Sequence, residues 1–166
     1  MSTIDPITQK TGVAFRPASA LTIAALHALG VPEEIVAFYR QSEPSKYIEI
    51  GKVRIWAIAY MLQEDRDYVP GYYAWPYGHV VFSTTIYGDA YCFDSRGVSK
   101  TGIPIVLIAH DLEPKDDEMK RDDLAKLAKP IAHSFEAFLE AFVSGSLDID
   151  PLYPPFESGN QPEAKR

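Results

Sequence analysis

Apolar residues recur along this chain in two rhythms, one helical and one alternating, and their order sketches the elements. From Pro17 to Leu29 the apolar positions Leu21, Ala24, Ala25, Ala28 and Leu29 fall three and four apart, the stripe of an amphipathic helix that Gly30 can close. Pro32 suits the first turn of a second helix, where Glu33 and Glu34 complement the positive end of the helix dipole and Ile35, Phe38 and Tyr39 supply the buried stripe. That helix is expected to stop before Pro44. Near the far end, Ser134 can cap a helix whose Phe135, Phe138, Leu139 and Phe142 repeat at helical spacing, with Glu136 in its first turn and Gly145 after its last.

The middle of the chain alternates instead. Tyr47 to Trp56 does so weakly around Gly51, which predicts two short strands or one strand with a bulge, and Ala57 to Asp65 returns to helical spacing through Ile58, Met61 and Leu62. The segment Tyr68 to Gly78 holds Pro70, Gly71, Pro76 and Gly78, so it reads as a loop, one that carries the five rings of Tyr68, Tyr72, Tyr73, Trp75 and Tyr77. From Val80 to Ile86 the even positions are mostly apolar, the pattern of a one-sided strand. A two-residue turn at Gly88 and Asp89 then pairs Tyr87 with Ala90, Ile86 with Tyr91 and Thr84 with Phe93, and places Tyr91 and Phe93 on the apolar face. Cys92 and Asp94 share the other face with Ser83 and Thr85, either solvated or covered by another element. Ile103 to Ala109 is continuously apolar and rich in β-branched residues, as a strand buried on both sides would be, with Pro104 near its start. Between Lys115 and Lys129 only Leu124, Leu127 and Ala128 form a thin apolar stripe, which suits a surface helix or a partly mobile insertion, and Pro130 separates it from the next element. The pattern predicts an N-terminal extension over 1–16, one domain over 17–147 and a Pro-rich flexible tail over 148–166.

Composition narrows the class. The chain has 166 residues, 46% hydrophobic and 23% charged, which suits one soluble globular core. No apolar run nears the ~20 residues that cross a bilayer, and Met1 to Lys10 lacks a basic stretch leading into an apolar one, so the cytoplasm is the expected location and no membrane partner is expected. Cys92 is the single cysteine, which excludes an internal disulfide and a cysteine-built zinc site. The net charge of −7 argues against direct contact with nucleic acid and is compatible with a basic protein partner.

Candidate chemistry is sparse. Cys92 could pair with His79, His110 or His133 as a nucleophile, but it lies within a strand rather than at a helix N-terminus, and a small packed thiol is the better reading. His110 with Asp111, or His79 with Asp89 and Asp94, lacks the spacing of a metal site. Asp116, Asp117, Asp122 and Asp123 are interleaved with lysine and arginine, as on a solvated helix, and there is no P-loop or serine elbow. No catalytic residue, metal or cofactor is therefore expected. What stands out is the aromatic segment beside Glu64, Asp65 and Asp67, which suits a protein interface or simply covers the end of the sheet.

The runs Gly88-Asp89-Ala90-Tyr91-Cys92-Phe93-Asp94, Pro104-Ile105-Val106, His110-Asp111 and Ile131-Ala132-His133-Ser134-Phe135-Glu136-Ala137-Phe138-Leu139 together resemble the SUKH superfamily, the Smi and Knr type of domain. Leu29-Gly30-Val31-Pro32-Glu33-Glu34, with Phe38 and Tyr39, is similar to that family's start of the second helix. The chain departs from the family pattern at Gln41-Ser42-Glu43-Pro44 and in its long aromatic segment. The resemblance implies an α+β fold, a single mostly antiparallel sheet with N-terminal helices and a closing C-terminal helix packed around it. It also implies a non-catalytic bacterial immunity protein that binds and blocks a cognate toxin domain of a polymorphic system, often a nuclease. It carries no catalytic residues to transfer. The expected partner-binding residues, chosen for ring content and charge, are Asp65, Asp67, Tyr72, Tyr73, Trp75, Tyr77 and Asp89. The alternative is a small-ligand or carbohydrate-binding module using the aromatic segment 68–78.

Overall fold

The computed structural model describes residues 4–97, 102–111 and 120–148. The elements run α1 (Ile4–Thr11), β1 (Phe15–Arg16), α2 (Ala20–Ala28), α3 (Glu33–Gln41), β2 (Glu43–Pro44), β3 (Ile48–Ile50), β4 (Val53–Ile55), α4 (Ile58–Asp67), α5 (Gly71–Ala74) and a 3-10 turn (Trp75–Tyr77). They continue with β5 (His79–Thr85), β6 (Ala90–Asp94), β7 (Ile105–Ile108), α6 (Arg121–Leu127), β8 (Lys129–Ala132), α7 (Phe135–Ser144) and a closing 3-10 turn (Ser146–Asp148). Strands β3 to β8 form one antiparallel sheet in sequence order, and β1 pairs with β2 in a small separate sheet. The fold is α+β, with helices on both faces of the sheet. Among the described residues no helix is long and apolar enough to cross a membrane.

The helices form for local reasons. Ser19 and Ser134 each accept a backbone N–H, from Thr22 and Ala137, at the starts of α2 and α7. Helix α7 buries Phe135, Phe138, Leu139 and Phe142 as its spacing predicts. Of the face expected for α2 only Leu29, at its end, is buried: Leu21 is 82% exposed, and Leu26, outside that stripe, is fully buried. That helix is apolar nearly all round, so its alanines specify no face, and burial goes to the larger Leu26 with Ile23 beside it. The segment ahead of the expected domain contributes to the core, since Ile7 and Val13 are buried there and Lys10 donates to the Val143 carbonyl in α7.

In the sheet, Gly51 and Lys52 turn β3 into β4, so Tyr47 to Trp56 is a hairpin of two strands. The β5–β6 register differs from the two-residue turn expected. Thr84 pairs with Ala90, Ser83 with Tyr91, Val81 with Cys92 and Val80 with Phe93, with a register shift between Val81 and Ser83. The wider turn is built by Thr85, whose Oγ1 accepts the N–H groups of Tyr87 and Asp89 while its own N–H donates to the Asp89 carbonyl. The irregularity restores the faces, so Val80, Phe82, Tyr91 and Phe93 still share the main core. Strand β7 is buried throughout, as its composition predicts. Pro130, expected to separate elements, lies instead inside β8, where the edge of the sheet tolerates a residue without an N–H. The segment 112–119 and the tail beyond 148 lie outside the described residues.

Two clusters flank the sheet. The larger joins Phe82, Tyr91, Phe93, Ile105 and Leu107 to α1, α2, α3, α4 and α7. The smaller gathers Val81, Ala90, Cys92, Val106 and Ile108 under Ala74 of α5 and Leu124 of α6, with Tyr73 and Tyr77 against it.

Candidate functional site

The aromatic segment is structured rather than a loop. Two short turns of helix succeed one another, and α5 lies so close to α4 that a Cβ on Gly71 would run into the Glu64 carbonyl. With no side chain at 71 the two helices touch, and the segment is held to the body of the protein. Its rings then divide. Tyr68 and Tyr72 are half exposed or more, and Trp75 is exposed beside them, with its indole Nε1 donating to the Leu29 carbonyl at 3.2 Å. Tyr73 and Tyr77 are half-buried against the smaller cluster, and Tyr73 meets Tyr72 edge to face. Tyr73 and Tyr77 thus cover the sheet as one expectation had it, and Tyr68, Tyr72 and Trp75 face outward.

The acidic members divide in the same way. Asp67 is exposed at the end of α4. Asp65 and Asp89, expected at a contact surface, are fully buried and so are withdrawn from one. Asp65 Oδ1 accepts the N–H of Val81 at 2.9 Å, next to the register shift in β5, while its Oδ2 is buried with no hydrogen-bond partner among the described residues. Burial pushes its carboxyl up to about 8, against the opposing hydrogen bond from Val81 and with help from the neighbouring charge of Glu64. Asp89 accepts the N–H of His110 at 3.0 Å, contacts its ring Nδ1 at 2.7 Å and lies 3.3 Å from Thr85 Oγ1. It organises the β5–β6 turn and orients a half-exposed histidine.

Cys92 is fully buried, and burial first, then the charges of Asp65 and Asp94, holds its thiol well above the usual range. A thiol so placed is neither accessible nor ionised. Among the described residues no group of three or more His, Cys, Asp and Glu side chains is arranged to hold a metal.

Two features escaped the sequence reading. Tyr47, Trp56 and Tyr60 form a ladder with ring centroids 5.8 and 5.7 Å apart, and the Arg54 guanidinium lies 5.7 Å from the Tyr47 ring. The signal for it is the even spacing of Arg54 in β4 and Trp56 just after it, which alternation alone could have drawn out. The second is a cleft of about 300 Å³ between the Trp75–Tyr77 turn, α6 and the second face of the sheet. Arg96 and Arg121 reach it from segments read as turn and solvated helix, and no local spacing relates them.

The model of the SMI1 / KNR4 family (SUKH-1) matches residues 17–141 of the chain. No curated protein matches it.

Proposed function

The chain belongs to the SMI1 / KNR4 family (SUKH-1), and from that premise we propose that it is a non-catalytic immunity protein, acting in the cytoplasm, that neutralises a cognate toxin by stoichiometric binding. The observation that carries this reading is the outward display of Tyr68, Tyr72 and Trp75 from a segment locked against α4 and the Leu29 carbonyl. Rigid tyrosine and tryptophan rings bury large area at little entropic cost, which is why they dominate binding energy at protein interfaces. Asp67 stands at their rim, and the net charge of −7 steers the surface toward a basic toxin domain, such as a nuclease, mainly by raising the association rate.

Tyr72, Tyr73, Trp75 and Tyr77 with Asp67 remain the proposed contact set, of which Tyr72 and Trp75 are the anchors. The test is calorimetric titration with the C-terminal domain of the protein encoded next to this one, at two salt concentrations. One-to-one binding that weakens with salt and loses about 2 kcal/mol in Tyr72→Ala is expected. Tyr72 is the cleaner probe, because Trp75 also holds the segment in place. Affinity unchanged in Tyr72→Ala would remove the aromatic segment from the interface, and no heat at either salt concentration would remove the toxin reading.

A further inference from the structure

The cleft beside the aromatic segment shares Tyr77 with that proposed contact set, while its other lining residues lie outside it, and its charge is opposite in sign to that of the chain as a whole. Its floor is apolar, made of Val106 on β7, Pro130 on β8 and the alanines 125 and 128 at α6. Its rim carries Arg96 and Arg121 against the single carboxylate of Asp94. In a protein of net charge −7, two guanidiniums over one acid make a local cationic hollow.

The rim is built. Asp94 Oδ1 accepts the N–H groups of Arg96 at 3.1 Å and Gly97 at 3.2 Å, so one of its oxygens is already engaged in the turn. Arg96 Nη2 donates to the Pro76 carbonyl at 3.1 Å, which ties the end of β6 to the 3-10 turn. Ser95 adds a second tie through its Oγ to the Gly78 carbonyl at 2.7 Å. Gly78 sits at φ +85, a conformation that favours glycine, and Arg96 Nε lies 2.7 Å from where a Cβ would stand, so the arginine crosses closely over this turn. Arg121 opposes it from the start of α6 and makes no hydrogen bond or ion pair among the described residues. Among the described residues its guanidinium donors are unspent, and so are most of those of Arg96. His79 forms part of the wall, and burial holds it below its ordinary value, against the pull of Asp94, so it adds hydrogen-bonding capacity rather than charge.

We propose that this cleft binds a small aromatic anion, its ring on the apolar floor beside Tyr77 and its phosphate or carboxylate engaged by Arg96 and Arg121. The volume falls at the lower end of small-molecule sites, which suits one ring system with one acidic group. Guanidinium pairs favour planar or tetrahedral oxyanions because they donate in a fixed fork. The proposal does not depend on the toxin interface and would survive its failure.

The experiment is an amide chemical-shift titration of the full chain with AMP and with benzoate, using adenosine as the body without the charge and inorganic phosphate as the charge without the body. AMP or benzoate is expected to give saturable shifts at Tyr77, Arg96, Val106 and Ala125, with adenosine and phosphate much weaker. Arg121→Ala and Arg96→Ala should each weaken binding about tenfold or more, and Tyr72→Ala should leave it unchanged. Arg121 is exposed, so its variant separates lost binding from lost folding, which an unchanged melting temperature checks. Three results would overturn the assignment: no saturable shifts with either anion, equal binding of phosphate alone, or affinity that persists in both arginine variants. So would an Arg121→Ala variant that loses the toxin domain but not AMP, since the cleft would then be a pocket for a partner's acidic side chain.

Discussion

The two faces of the six-stranded sheet are built differently. On one, Phe82 stacks on Phe93 with centroids 4.1 Å apart, and Phe135 and Phe138 close over them edge to face. On the other, Ala74, Val81, Ala90, Cys92 and Val106 are small, and the cover is the single turn of α5 and the short α6. The rings interlock with centroids 4.1 to 5.6 Å apart. Small residues under short helices leave the cleft, and a buried carboxylate lies nearby on α4. Stability therefore concentrates on the first face, and the proposed contacts with partner and ligand concentrate around the second.

The sharpest way to break this contrast is to empty each face in turn. Phe138→Ala should cost about 3–5 kcal/mol in denaturant unfolding, because Phe82 and Tyr91 lose their common neighbour. Leu124→Ala, at a fully buried position on the second face, should cost about 2–3 kcal/mol. Equal losses would show that the thin face is as tightly filled as the thick one.

Asp65 tests the electrostatics of the thin side. Its folded carboxyl titrates near 8 and its unfolded one near 3.8, so between those values the native state holds a proton that the unfolded state has released. Stability must then fall as pH rises across that window. Melting curves from pH 4 to 8 should show a decline of several kcal/mol, about 1.4 kcal/mol per pH unit, that Asp65→Asn removes, since the amide can still accept the Val81 N–H without a charge. Parallel pH profiles for the two proteins would mean that Asp65 is ionised when buried. Smallest of all, Leu21→Ser should change stability by no more than about 0.5 kcal/mol, because that side chain projects from α2 into water. A loss near that of Leu124→Ala would place α2 against something outside the described residues.

Legibility tracks residue size and periodicity. The α7 stripe, the proline-led α3 and the continuous apolar β7 each carry large side chains in one unambiguous period, and each stands where the pattern predicts. Helix α2 departs from its pattern because alanine and leucine on all sides give no moment to choose a face. Pro130 misleads because a proline excludes a central strand but not an edge, and which strand is the edge is a property of the assembled sheet. At the site, the rings of 68–78 are visible as composition. Their division into cover and display is not, because it depends on the contact of Gly71 with α4.

By itself the sequence determined the fold class and the family, since these come from local periodicity and short motifs. Only the tertiary structure decided that Asp65 and Asp89 are interior, that Trp75 reaches back to Leu29, and that Arg96 and Arg121 meet at one cleft. The reason is physical. A period of 2 or 3.6 acts over neighbouring residues, whereas burial of a charge and convergence of two arginines 25 positions apart depend on how strands and helices from distant parts of the chain come together.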